Sequence, residues 1–409
     1  MSPDSISTMP RRARRRLIAV VAVGALASLA ATCQAAKPPA PPPPSPPPSQ
    51  YCHDTTPANA QQYQQAFDGL RATNTAHWVA SDGGLPVPLQ DGRVLWMFGD
   101  TILGSPPNGP LKSHILFNNG FVVQQENCFT PINEPIKDPG PNEWVWPTGA
   151  VQPNSNTLLV FGLHMQRGGT PPFDFQLVSV DVARFSLSNL NAPVSVTPLP
   201  LPSSPSYGET LMFDNGFVYA YGHRLGSFPF EHYVARAQVN QLFNANAWWF
   251  WYDETPQIPD DEPLEGWKQA DPDAADPMAF ENGEPPLPLV PGIDEGPTAA
   301  FPVARTPAGG YVGSAFRLDA YGRDFIETWA GDEPQGPWIL HDPPVVDITK
   351  PPYGPLTEEQ LAYGGRVVFG IDGAPIALWS TNHESFDAVL ANPNLYKVWF
   401  AQPQDGSIP

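Results

Sequence analysis

Five times along this 409-residue chain, an apolar run meets a tight-turn signal and then a second apolar run of strand length. The clearest case is WVASDGGLPVPLQDGRVLWMFGDTILG, Trp78 to Gly104, which turns at Asp91-Gly92. The others are Trp144 to Met165 turning at Ser155-Asn156, Tyr207 to Arg224 at Asn215-Gly216, Asp294 to Leu318 at Gly309-Gly310, and Tyr363 to Asn382 at Asp372-Gly373. Asn, Asp and Gly tolerate the positive φ of tight hairpin turns, so these dipeptides between apolar runs signal antiparallel hairpins. Each second strand closes on a similar string, FGD, FGLH, YGH, SAFR or WST. Their polar ends fall at Asp100, His164, His223, Arg317 and Thr381, spaced by 64, 59, 94 and 64 residues. Further strand-length runs follow each hairpin: HILFNNGFVVQQ, FDFQLVSVDVARF, EHYVARAQVNQL, DFIETWAG and LYKVWFAQ. Units of this size with about four strands each predict the blades of a β-propeller.

Proline removes the main competitor. The chain holds 54 prolines, and each one inside a helix costs about 3 kcal/mol. Helix signals are confined to Ala58 to Phe67 and Thr357 to Leu361. The expected fold is therefore all-β, a five-bladed β-propeller over residues 51–409. Asp82, Thr148, Glu209, Glu295 and Gly364 should lie at or near the channel-facing starts of the five inner strands. An acidic, proline-rich insertion at about 253–291 interrupts the pattern between the third and fourth repeats.

The first 36 residues have the order of a secretory signal peptide: Arg11, Arg12 and Arg14 to Arg16, then an apolar run from Leu17 to Ala31. The arginines suit twin-arginine export or simply a strong positive region. Fifteen apolar residues are short for a membrane span. Cys33 is a candidate for lipid attachment and hence for a membrane tether, although Ala30-Ala31-Thr32 is a poor signal for it. Residues 37–50, KPPAPPPPSPPPSQ, read as an extended polyproline linker of roughly 40 Å. The expected destination is secreted or attached to the cell envelope. Losing residues 1–37 removes six basic residues and one acidic residue, leaving 15 against 40, a net charge of −25. A surface that acidic excludes nucleic acid and anionic membrane as partners, while an uncharged glycan is unaffected. Cys52 and Cys128 then remain as the expected disulfide of an oxidising compartment.

The chemistry-bearing residues gather on the hairpins. Antiparallel pairing brings Asp82 and Asp100 toward the same end of the first hairpin, and Glu209 and Glu295 occupy the equivalent inner-strand starts of the third and fourth. Carboxylates converging on one cavity suit acid–base chemistry on a sugar. Each also has a plain structural reading, a turn cap or an internal hydrogen bond. Trp146, His164, His223, Arg224, Arg317 and Asn382 are candidate substrate-binding residues. The cluster Trp248 to Tyr252 reads either as packing between blades three and four or as an exposed sugar platform. No zinc, phosphate-loop, dinucleotide or nucleophile-elbow pattern occurs, and DPDAAD, Asp271 to Asp276, lacks the glycine and terminal glutamate of a calcium loop. No metal or cofactor is expected, and the protein should be a monomer.

SDGG, followed by DGRVLWMFGDT and FNNGFVV, resembles a family of secreted actinobacterial five-bladed propellers once catalogued only as a domain of unknown function. Some of its members are endo-D-arabinanases acting on the arabinan of mycobacterial cell walls. The resemblance spans most of the domain, is sharpest in the first repeat and is looser in WVWPTGAV and YGETL. It implies a five-bladed propeller, furanoside hydrolysis and a catalytic role for Asp82 with Asp100 close by. FNNG departs from the family pattern after the paired asparagines, which puts the substrate in question. The alternative is a non-catalytic glycan-binding or wall-associated propeller in which Asp82 and Asp100 only hold structure.

Overall fold

Strands buried on both faces need apolar residues at successive positions, and TLLVFGL in the second repeat has them. Its even and odd positions face different neighbours. Leu158 and Val160 pack toward the first repeat, while Leu159, Phe161 and Leu163 pack toward the third. Val94, Trp96 and Phe98 of the first repeat likewise face the last one, and Leu95 and Met97 face the second. This is the side-chain logic of sheets stacked around a ring.

The computed structural model describes residues 50–72, 77–105, 109–168, 175–202, 204–223, 231–252, 266–269, 300–318, 324–350, 352–354, 356–357, 359–370, 373–404 and 407–408. They form five antiparallel sheets arranged as a five-bladed β-propeller. Blade one runs outward from Trp78–Pro88 through Val94–Ser105, Gly120–Gln125 and Cys128–Asn133 to Tyr51–Cys52. A further strand, Ser113–Phe117, pairs antiparallel with the last residues of its second strand, Thr101 to Ser105. Blade two comprises Glu143–Asn154, Thr157–Arg167, Phe175–Ser186 and Ser195–Pro198. Blade three comprises Thr210–Asp214, Phe217–His223, His232–Gln238, Trp249–Tyr252 and Gly266–Gln269. Blade four comprises Val303–Arg305, Tyr311–Leu318, Asp324–Gly331 and Ile339–Asp347, and blade five Gln360–Phe369, Pro375–His383 and Lys397–Ala401. Gly266–Gln269 gives the acidic insertion a strand of its own on the outer edge of blade three. At Asn215-Gly216 both residues have positive φ, 50° and 82°, the conformation that made this dipeptide a turn signal.

The ring closes through a helix. Helix α1, Ala60–Ala72, lies over the seam between blades five and one, with Phe67 stacked on Phe400 at 5.3 Å and 5.1 Å from Trp96. Gln64 Oε1 accepts the Phe400 backbone N–H at 3.1 Å, and Arg71 Nε donates to the Val79 carbonyl at 2.8 Å. Ahead of it, Cys52 and Cys128 face each other across the two outermost strands of blade one and are disulfide-bonded, with Cα atoms 3.9 Å apart. The helix expected at Thr357 to Leu361 does not form. A single turn closes from the Gln360 N–H to the Thr357 carbonyl, and Gln360 then pairs with His383 as the first residue of an inner strand. A short helix not expected from sequence, α2 at Phe386–Ala391, is capped by Ser385.

Candidate active site

Inner strands of a propeller border its axis, and here the sequence puts irregularities at that border. Blade one pairs Ser81 with Thr101 and then Gly83 with Phe98, so Asp82, Gly99 and Asp100 all fall in a break of the ladder. Blade two breaks at Thr148 and blade five at Gly364-Gly365, whose neighbours Tyr363 and Arg366 pair with Ser380 and Leu378. A bulge re-aims side chains out of the regular pleat, and these breaks aim theirs at the axis. Asp82 and Asp100 thus lie inside long strands, not at their ends as the hairpin reading expected.

Among the described residues each of the five seams is tied near this level by at least one polar contact. Trp146 Nε1 donates to Asp100 Oδ1 at 2.8 Å between blades two and one, and the Thr148 hydroxyl donates to the Gly208 carbonyl at 2.7 Å between two and three. The Thr210 hydroxyl donates to the Phe301 carbonyl at 3.1 Å between three and four. The backbone N–H of Val367 donates to Ser314 Oγ at 3.0 Å between five and four, and that of Gly83 to Ser380 Oγ at 2.9 Å between one and five. Side chains facing the axis are therefore held by a closed ring of contacts, the preorganisation a site needs.

A central cavity of about 110 Å³ opens there, lined from all five blades. Asp82, Trp146, Thr148, Glu209, Phe316 and Arg366 supply its most distinctive side chains. Asp82 is buried; its Oδ2 accepts the Tyr363 hydroxyl at 3.1 Å, and the Tyr396 hydroxyl, beside the same carboxyl, donates to the Asp100 backbone carbonyl at 2.9 Å. Burial raises the Asp82 carboxyl from 3.8 to about 6, against the pull of those hydroxyl and backbone donors. Asp100 is raised well above the ordinary range, first by burial and then by the Asp82 charge, with the Trp146 N–H opposing. Gly99 makes the close approach possible, since a Cβ there would collide with Asp82 Oδ1. Arg366 lines the cavity with its Nε on the Gly364 carbonyl at 3.2 Å; burial lowers it to about 10, with Asp82 opposing.

Glu209 comes from the other side, immediately before the inner strand of blade three. Gly208, at φ 101°, delivers it. Its Oε1 accepts the Ser206 hydroxyl at 2.6 Å, and its Oε2 lies 2.6 Å from His223 Nδ1.

Several expected site residues stand elsewhere. Asp100 is behind the cavity wall, held by Trp146, because the ladder break turns Asp82 alone to the axis. His164 does not line the cavity; a register shift after it turns it into its own blade, near Glu143 at 3.4 Å and Asp181 at 3.3 Å. His223 is 1% exposed and touches Glu209 from behind, so no ligand in the cavity meets it directly. Asn382 is likewise outside the lining and interacts with the Tyr363 hydroxyl. Trp248 and Phe250 are packed in the core between blades two and three, Trp251 packs between blades three and four, and Trp249 is 37% exposed. Arg224, Glu295, the side chain of Arg317, Asp271 to Asp276, Cys33 and the signal-peptide and linker residues 1–49 lie outside the described residues. Tyr363, Tyr396, Ser206 and Arg366 were not singled out from sequence. The double-glycine strings SDGG and YGGR were the available signal for Arg366, since they mark equivalent bulges in blades one and five. Among the described residues no group of three or more His, Cys, Asp or Glu could hold a metal ion.

Similar folds occur among solved structures. A Bacteroides ovatus protein provisionally described as a hydrolase superposes with a TM-score of 0.61 at 14% identity, covering 83% of this chain and 87% of its own. An α-L-arabinofuranosidase from Podospora anserina gives a TM-score of 0.43 at 9% identity, over 82% of this chain and 94% of that one. An endo-arabinase from Bacteroides thetaiotaomicron gives 0.41 at 11%, over 80% and 96%. These likenesses concern the fold. Among curated proteins none matches the chain significantly in sequence. Residues 62–343 match one family, and the chain belongs to it: the domain of unknown function DUF5005.

Proposed function

We propose that the protein is a secreted or envelope-attached glycoside hydrolase that cleaves an arabinan-like furanoside polysaccharide of the cell wall. The observation that carries this reading is that Asp82 and Glu209, from blades one and three, line one cavity at the axis. Glycosidic cleavage needs one carboxylate as base or nucleophile and one carboxyl as proton donor to the leaving oxygen. Two carboxyls buried side by side do not both ionise readily. Burial raises both Asp82 and Asp100, and the Asp82 charge raises Asp100 further, so the two titrate as a pair. Asp82 is the member of the pair that faces the cavity, with the Tyr363 hydroxyl on its Oδ2, and it acts as base or nucleophile. Glu209 is the acid. Arg366, which makes no ion pair within reach among the described residues, offers guanidinium donors to sugar hydroxyls. The raised carboxyl in a cavity partly walled by Trp146 and Phe316 favours catalysis over glycan binding alone.

The substrate class follows from the resemblance of SDGG and DGRVLWMFGDT to arabinan-degrading propellers, and the export route from the basic-then-apolar first 36 residues. The test is incubation of the purified protein with mycobacterial arabinogalactan and analysis of the products. Released arabinan oligosaccharides, absent with Asp82→Asn, are expected. Binding to the polymer without release would leave a lectin, not an enzyme.

A further inference from the structure

Glu209 is held by two groups that the acid–base assignment does not itself require. Ser206 Oγ lies 2.6 Å from Glu209 Oε1 and 2.9 Å from the His223 carbonyl oxygen. His223 Nδ1 lies 2.6 Å from Glu209 Oε2. Ser206 is 2% exposed and His223 1%, so water has little access to either contact. The backbone locks the three together. The Ser206 N–H donates to the His223 carbonyl at 3.0 Å, and the Glu209 N–H to the Ser206 carbonyl at 3.3 Å.

We infer that Ser206 and His223 are positioning residues that hold the Glu209 carboxyl in place through both of its protonation states. The inference rests on Glu209 being the acid. The proton bookkeeping is specific. An ionised carboxylate only accepts, so in that state both contacts must be donated to it, from the Ser206 hydroxyl and from an Nδ1–H tautomer of His223. A hydroxyl has one hydrogen, and here it has two acceptors within reach. When Glu209 carries its proton, the Ser206 hydrogen turns to the His223 carbonyl, and Glu209 is not forced to remain an anion. When that proton passes to the glycosidic oxygen and the carbon–oxygen bond breaks, the hydroxyl swings back to Oε1. The carboxyl regains its proton from water. His223 Nδ1–H keeps Oε2 fixed throughout, so the other lone pairs stay directed at the cavity. The switch costs one hydroxyl rotation and no movement of the carboxyl.

The test uses two substrates that differ in their need for an acid: an arabinan oligosaccharide, and an arabinofuranosyl oligosaccharide with a dinitrophenol leaving group. Ser206→Ala and His223→Phe should lower kcat on the oligosaccharide about 10- to 100-fold, with KM little changed, and lower kcat on the dinitrophenyl substrate less than about 3-fold. The basic limb of the pH–rate profile should move in both variants. Equal losses on the two substrates, or an unmoved basic limb, would reduce the pair to a structural role and overturn the inference. If His223→Phe does not fold, Ser206→Ala decides alone. Glu209→Gln separates the two ideas. Full activity in that variant removes the acid assignment itself, whereas a selective loss there with unselective losses in Ser206→Ala removes only the inference.

Discussion

The axis-facing ends of blades one and three carry one carboxylate each, and the two are supported in opposite ways. Asp82 sits in a ladder break with a second carboxyl, Asp100, immediately behind it. The Tyr363 hydroxyl donates to Asp82, while the Tyr396 hydroxyl and the Trp146 indole N–H donate to the backbone carbonyl and the carboxyl of Asp100. Glu209 has no second carboxyl in contact with it among the described residues and is held by a serine hydroxyl and an imidazole. The first arrangement makes ionisation costly and shares one proton between two acids. The second supplies donors that can be withdrawn. Similar backbone positions in a pseudo-repeat thus acquire different surroundings from the layer behind them, which is how the proposed base and the proposed acid would take two roles in one cavity.

Asp82→Asn gives the largest effect expected from this contrast. The change is nearly isosteric, and activity should fall by ~10³-fold or more while the fold persists. Near-wild-type release of oligosaccharides by a folded Asp82→Asn protein would mean that the two rims are not an acid–base pair at all. Next comes Gly99→Ala, which places a methyl group against Asp82 Oδ1 without touching blade three. Displacing the carboxylate should cost on the order of 10²-fold in kcat. A smaller loss would show that the Asp82 position tolerates movement.

Stability supplies the third test, and its sign is informative. The folded Asp82 carboxyl at about 6 lies above its ordinary 3.8, so the folded state binds this proton more tightly than the unfolded chain does. Its contribution is most favourable below pH 4 and is lost as pH rises through 6. Asp82→Asn should therefore stabilise the protein at pH 7 by up to about 3 kcal/mol, with the gain disappearing near pH 4. Denaturant titrations at the two pH values measure it, and an equal effect at both would show that burial does not govern this group. The smallest effect belongs to Tyr363→Phe. The acidic limb of the wild-type rate profile should lie near pH 6, and loss of a donor to the Asp82 anion should move it upward by roughly one unit. A downward shift would show that Tyr363 does not donate to Asp82.

The turns were readable because their chemistry is local. Asn215-Gly216 adopts the two positive φ values that few other dipeptides accept, and at Asp91-Gly92 the glycine alone takes a positive φ, 87°. The continuous apolar strands were readable because a blade must be apolar on both faces. His164 and His223 show where this ends. Both sit at the polar end of a second strand, after FGL and YG, and from sequence they are equivalent. A register shift beside His164 turns it into its own blade, whereas His223 stays in register opposite His232 and meets Glu209. Arg366 was hidden for the same reason, since the extra residue at Gly364-Gly365 changes which side of the strand faces the axis.

The repeat, the turns and the buried strands follow from the order of residues alone, and with them a five-bladed ring that carries Asp82 and Glu209 toward its axis. These properties depend on neighbours a few residues apart. The place of Asp100 behind the wall, the convergence of Trp146, Tyr363 and Tyr396 on the aspartate pair and the closure of the ring by α1 come from packing between distant parts of the chain. Tyr363 lies 281 residues from Asp82 along the chain and 3.1 Å away in space. A bulge shifts side-chain parity by one residue, and closure of the ring brings the last blade against the first. Both effects are set by packing across blades, which no local pattern records.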